Sequence, residues 1–86
     1  MINENIFKAW NPETGKMVSL IYIDIYPDYR FYEVMVFNVR DDWKGISQER
    51  SHSLLAARCI FVELCKEHNV NPEYKFTPGD EKKILT

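Results

Sequence analysis

The sequence predicts an α+β domain of two layers, in which an antiparallel meander of three or four strands carries one long helix on one face. Three observations predict it: three apolar segments are separated by short turns, one amphipathic segment follows them, and 86 residues are too few for two domains. Short turns favour antiparallel neighbours, so the expected order is β-β-β-α, with a possible short C-terminal strand. We expect a single domain over 1–86, with the meander at 6–39, the helix at 47–69 and a tail or edge strand at 73–86.

Short runs rich in β-branched and aromatic residues predict the three strands, at residues 6–10, 17–26 and 31–39. In the second run, isoleucine recurs at every other position, with the period of two that a strand requires. The first connection contains Pro12 and Gly15, which suit a type I turn followed by a left-handed residue. The second connection, residues 27–30, also begins with proline.

The helix is predicted from about residue 48 to His68. Ser47 is the expected N-cap, Asn69 can end the helix, and Pro72 prevents it from resuming. At about 100° per residue, one narrow apolar stripe forms and is expected to face the sheet. Its members are Leu54, Ala57, Phe61, Leu64, Cys65 and His68. Residues 74–76 are expected to form a short edge strand.

The face of the sheet opposite the helix is predicted to be an interface. A loop centred on Asp28 and Tyr29 pairs Ile23 with Val34, which puts the isoleucines under the helix and leaves a second face that is nearly as apolar. A free antiparallel face normally alternates apolar and polar residues. We therefore expect a second copy of the chain, another protein or the C-terminal segment to cover it. The expected contact residues are Val18, Leu20, Tyr22, Tyr26, Phe31, Met35 and Phe37, with Trp10 and Trp43 as secondary candidates.

The same register places Asp24 opposite Glu33. Like charges that are directly opposed destabilise a sheet, so we expect both carboxylates to lean into solvent or to share a cation such as Lys8 or Arg30. One alternative hypothesis is an acidic spot for a basic partner. Another is a metal site or an acid/base pair, which two carboxylates alone do not specify.

Catalytic, metal and cofactor sites are not predicted. The soft ligands are His52, Cys59, Cys65 and His68, and on one helix the first two face away from the others, whereas zinc needs converging ligands. Cys59 lies in the middle of the helix with no histidine one turn away to act as its base. Two cysteines six residues apart on a helix lie about 9 Å apart along its axis, too far for a disulfide. This predicts a reducing, cytoplasmic compartment.

Charge and composition restrict the partner. Lys plus Arg is 11 and Asp plus Glu is 13, which gives a net charge of −2. That balance argues against a binder that displaces counterions from nucleic acid. Aromatic residues are 14% of the chain, and on strands they could stack bases. A single-stranded nucleic-acid-binding sheet is therefore the alternative function, and a small oligomeric enzyme the second alternative. No apolar run is long enough for a membrane span.

Two segments resemble families of small proteins from phages and prophages. Residues 53–61 (SLLAARCIF) are similar to the alanine- and cysteine-bearing closing helix of phage sandwich-type domains, and residues 7–17 (FKAWNPETGKM) resemble the opening of YopX-like proteins. The resemblance implies an orphan protein without a catalytic motif that binds and modulates a host protein. We therefore expect a non-enzymatic protein-binding or assembly module, without a cofactor, that works as a homodimer or with a protein partner.

Overall fold

A computed structural model describes residues 2–25 and 28–73. Its elements, in chain order, are β1 (Ile2–Trp10), β2 (Lys16–Ile25), β3 (Tyr29–Asn38), β4 (Lys44–Ser51) and α1 (Leu54–Glu67). The four strands form one antiparallel sheet in the order β1-β2-β3-β4, and α1 packs across β2, β3 and β4. The predicted two-layer α+β fold is confirmed, with a fourth strand before the helix.

The predicted start of the helix was wrong. Ser47 is not an N-cap: it lies in β4 opposite Val36. The cap is Ser53, whose Oγ accepts a hydrogen bond of 3.2 Å from the backbone N–H of Ala56. Residues 44–51 gain a ladder of hydrogen bonds by pairing with β3, and this long-range pairing overrides their local helix propensity. The edge strand predicted at 74–76 lies outside the described residues.

The predicted register of β2 against β3 was also wrong. Ile23 lies opposite Phe31, three residues before the expected partner Val34. The last pair is Ile25 with Tyr29, so the pairing of the two strands is centred earlier in the sequence than predicted. Side chains alternate between the faces of a sheet, so a shift by an odd number of residues exchanges the two faces of one strand relative to the other.

The main core lies between α1 and one face of the sheet. The buried stripe of the helix matches the prediction at Ala57, Phe61, Leu64 and Cys65. The rings of Phe61 and Phe7 stand 5.8 Å apart between their centroids. The sheet contributes Ala9, Val18, Leu20, Val34 and Val36, all buried, and Val70 closes the core after the helix. Small and branched aliphatic side chains therefore form the bed of the helix.

The end of the helix is fixed to the first hairpin. Asn69 takes a left-handed φ of 56° after the helix, and its carbonyl accepts a hydrogen bond of 2.8 Å from Asn11 Nδ2. Gly15 in the same hairpin has a φ of 79°, and a Cβ atom there would stand 2.8 Å from Cγ of Arg40. Only glycine fits this turn without strain. These contacts set the position of α1 on the sheet.

Candidate interaction surface

The face of the sheet that α1 does not cover is called here the open face. Alternation along β2 and β3 places two apolar groups on it. One contains Ile21, Ile23 and Phe31, with Met35 packed against them. The second lies toward the first hairpin and contains Trp10, Met17 and Val39, with Phe37 and Trp43 packed against them. Within residues 2–25 and 28–73, α1 is the one helix, and it lies on the opposite face.

Exposure varies across the open face. Its central side chains are buried, and Phe31 is 4% exposed. The apolar side chains at the rim are exposed: Ile25 by 36%, Tyr29 by 51% and Ile46 by 45%. Between centre and rim, Met35, Phe37 and Trp43 are half-buried. The accessible apolar side chains therefore lie at one end of the β2–β3 hairpin and at the β4 edge, while Asn5 and Lys8 occupy the β1 side of the open face.

A shallow groove of about 340 Å³ runs across the open face. Its lining combines five apolar residues with three polar ones: Met17, Ile21, Met35, Phe37 and Trp43, and Asn5, Lys8 and Ser19. Met35 also borders a second depression of about 260 Å³ at the β4 edge, together with Ile46 and Gln48. Because Met35 borders both depressions, it occupies the centre of the accessible apolar surface. Methionine is flexible and fits irregular apolar surfaces, so it suits a contact position.

One buried carboxylate lies on the open face. Glu33 is 4% exposed, and its Oε1 accepts a hydrogen bond of 3.3 Å from Nε of Arg50. The same guanidinium stands 4.6 Å above the centroid of the Phe31 ring. Arg50 lies directly opposite Glu33 on β4, so the neighbouring strand supplies the positive charge that a buried carboxylate requires. The pair brings no net charge to the face.

The predicted contact residues divide between the two faces. Phe31, Met35 and Phe37 lie on the open face, as predicted. Val18, Leu20 and Tyr22 lie on the face that carries the helix, because the register shift exchanged the faces of β2. Tyr26 lies outside the described residues. The secondary candidates Trp10 and Trp43 belong to the apolar group at one end of the open face.

Sequence reasoning assigned the alternate residues of β2 to the wrong face. Met17, Ile21 and Ile23 contribute to the open face, and Ile46 at the β4 edge was overlooked because residues 44–51 were not recognised as a strand. The pattern of β2 alone gives no signal that could correct this, because both of its faces are apolar. The face can be identified only from its pairing with β3.

The predicted opposition of Asp24 and Glu33 was wrong. Asp24 lies opposite Arg30, and Arg30 Nε stands 3.5 Å from Asp24 Oδ1. Each carboxylate therefore faces an arginine on a neighbouring strand. Asp24 pairs with Arg30, and Glu33 lies three residues after Arg30 on the same strand. Because this separation is an odd number of residues, Asp24 and Glu33 point to opposite faces of the sheet. The structure thus contains no acidic spot formed by these two residues.

The two cysteines are free and differ in accessibility. Cys59 is exposed and Cys65 is buried on the side of α1 that faces the sheet. Burial raises the pKa of the Cys65 thiol from 9.0 to about 11, so this thiol is protonated at neutral pH and is a poor nucleophile. In the described part of the chain, no group of three or more His, Cys, Asp or Glu side chains is arranged to hold a metal ion.

A thiol reagent is expected to distinguish the two cysteines. At neutral pH we expect one equivalent to react quickly, at Cys59, and the second to react only when the protein unfolds. Mass spectrometry of the folded and the urea-unfolded protein measures this, and Cys59→Ser is the control that should remove the fast reaction. Equal rates at both positions in the folded protein would contradict the described packing of Cys65.

A third depression, of about 500 Å³, lies between the first hairpin and the end of α1. Its walls include Trp10, Asn11, Cys65, Lys66 and Asn69. The one nucleophilic thiol in its wall is that of Cys65, whose raised pKa disfavours the thiolate. The Asn11 amide is engaged with the Asn69 carbonyl. The hydrogen bond beside this depression therefore joins the first hairpin to the end of the helix.

No family model matches this chain, and neither a curated protein nor a solved structure matches it. The two segments on which the expected resemblance to phage families rests occupy different parts of the fold. Residues 53–61 form the cap and first half of α1, and residues 7–17 form the end of β1, the turn and the start of β2. Among the described residues, no helix has the length and apolar character needed to cross a membrane.

Proposed function

We propose that this protein is a non-enzymatic protein-binding or assembly module whose contact surface is the open face. One observation carries the proposal: a sheet already covered by a helix on one side presents a second apolar face. That face has three exposed apolar residues, Ile25, Tyr29 and Ile46, and a shallow groove that includes Met35, Phe37 and Trp43. Contiguous apolar surface of this kind is typical of protein-protein contacts. The free cysteines support a reducing compartment such as the cytoplasm.

The composition of the open face suits a protein partner. Aromatic residues and methionine are enriched at the centres of protein interfaces, and here Met35, Phe37 and Trp43 line one groove. Half-buried side chains of this kind are already held by their neighbours, so they lose little conformational freedom when a partner binds. A phage-encoded modulator of a host protein, as the resemblance implies, would use the same surface.

The alternative, a single-stranded nucleic-acid-binding sheet, rests on the guanidinium that lies over Phe31. In a base-stacking sheet such a cation contacts phosphate or base, but here Arg50 is engaged by Glu33, and the carboxylate shares the face. Binding of labelled single-stranded oligonucleotides that weakens steeply with salt would favour this alternative. The enzyme alternative requires a concave site in which several titratable groups with shifted pKa values come together. Cys65, whose thiol has a raised pKa, is instead packed in the core between α1 and the sheet.

Site-specific photo-crosslinking tests the proposed surface. A photoreactive amino acid replaces Ile46, 45% exposed beside the groove, or, as the matched control, Leu55, 73% exposed on α1. We expect the Ile46 variant to give a discrete crosslinked product, either with itself or with another polypeptide, and the Leu55 variant to give none. Crosslinking from Leu55 alone, or equal diffuse products from both positions, would contradict the proposal.

A further inference from the structure

We draw no further inference here: the strongest candidate, the apolar surface patch on the open face around Met35 and Trp43, carries nothing beyond the proposed function, because the centre of that face is buried, Lys8 shares its groove, and nothing in the described part of the structure shows what covers it.

Discussion

Replacing Leu20 with alanine is expected to lower the free energy of unfolding by about 2–5 kcal/mol, the range for truncating a fully buried leucine. Leu20 is 0% exposed and packs with Val34, Phe61 and their neighbours in the core under α1. Truncation removes its buried methyl groups and leaves a cavity that a sheet backbone cannot easily close. Urea unfolding, followed by circular dichroism, measures the change.

The concentration dependence of this loss identifies the face on which Leu20 lies. If Leu20 packs under the helix of its own chain, the loss is the same at every protein concentration, whereas a residue at a dimer contact would show a loss that falls on dilution. Leu55→Ala is the control, with an expected change within about 0.5 kcal/mol because the residue is exposed. A loss below about 1 kcal/mol for Leu20→Ala would contradict the observed register.

Removing the guanidinium of Arg50 is expected to be the most costly change outside the helix-covered core. Arg50→Ala leaves the Glu33 carboxylate buried without its partner, and it also removes the cation above the Phe31 ring. Breaking a fully buried pair costs about 3–5 kcal/mol. Because the Arg50 side chain is 52% exposed, water can partly replace it, and we expect a loss of about 2 kcal/mol in urea unfolding.

A second pair of variants separates the effect of burial from that of charge pairing. Glu33→Gln combined with Arg50→Ala should recover part of the loss, since the double variant no longer buries a charge. Arg30→Ala is the matched control, because its pair with Asp24 also joins neighbouring strands but the Arg30 side chain is 65% exposed. An exposed pair contributes at most about 1 kcal/mol. Equal losses for Arg50→Ala and Arg30→Ala would show that the burial of Glu33 has no energetic consequence.

The general architecture was predictable because it depends on local patterns. Each of the patterns that predicted it spans only about ten residues. These patterns are the alternating isoleucines, the proline-containing turn and the apolar stripe that repeats every three or four residues. The stripe of α1 was confirmed at Ala57, Phe61, Leu64 and Cys65. These features follow from the geometry of the backbone and require no knowledge of what packs against them.

The register of β2 against β3 was not predictable in the same way. Both faces of β2 are apolar, so the hydrophobic pattern accepts either assignment, and the length of the connection between Ile25 and Tyr29 decides it. A difference of three residues in the pairing moved Val18 and Leu20 from the predicted interface into the core. β4 was not predicted for a related reason. Its sequence is polar and shows no strand pattern, because it is held in the sheet by pairing with β3.

The candidate surface was therefore predicted in kind but only partly in its residues. Aromatic content and a surplus apolar face follow from composition and alternation. Phe31, Met35 and Phe37 lie on the face predicted for them, the one opposite the helix, and their role as contact residues stays a prediction. The pairing of Glu33 with Arg50 could not be anticipated, because Arg50 was assigned to the helix instead of to a neighbouring strand.

Methyl NMR with a soluble paramagnetic agent tests the central claim, that the open face is the binding surface. In labelled protein at low concentration, we expect the agent to broaden the methyl signals of Ile46 and Leu55 strongly, those of Met35 less, and those of Leu20 hardly at all. When the partner that Ile46 crosslinks is added, or at high concentration if that partner is a second copy, the signals of Ile46 and Met35 should become protected, while Leu55 stays broadened. Protection of Leu55 with no change at Ile46 and Met35 would contradict the account.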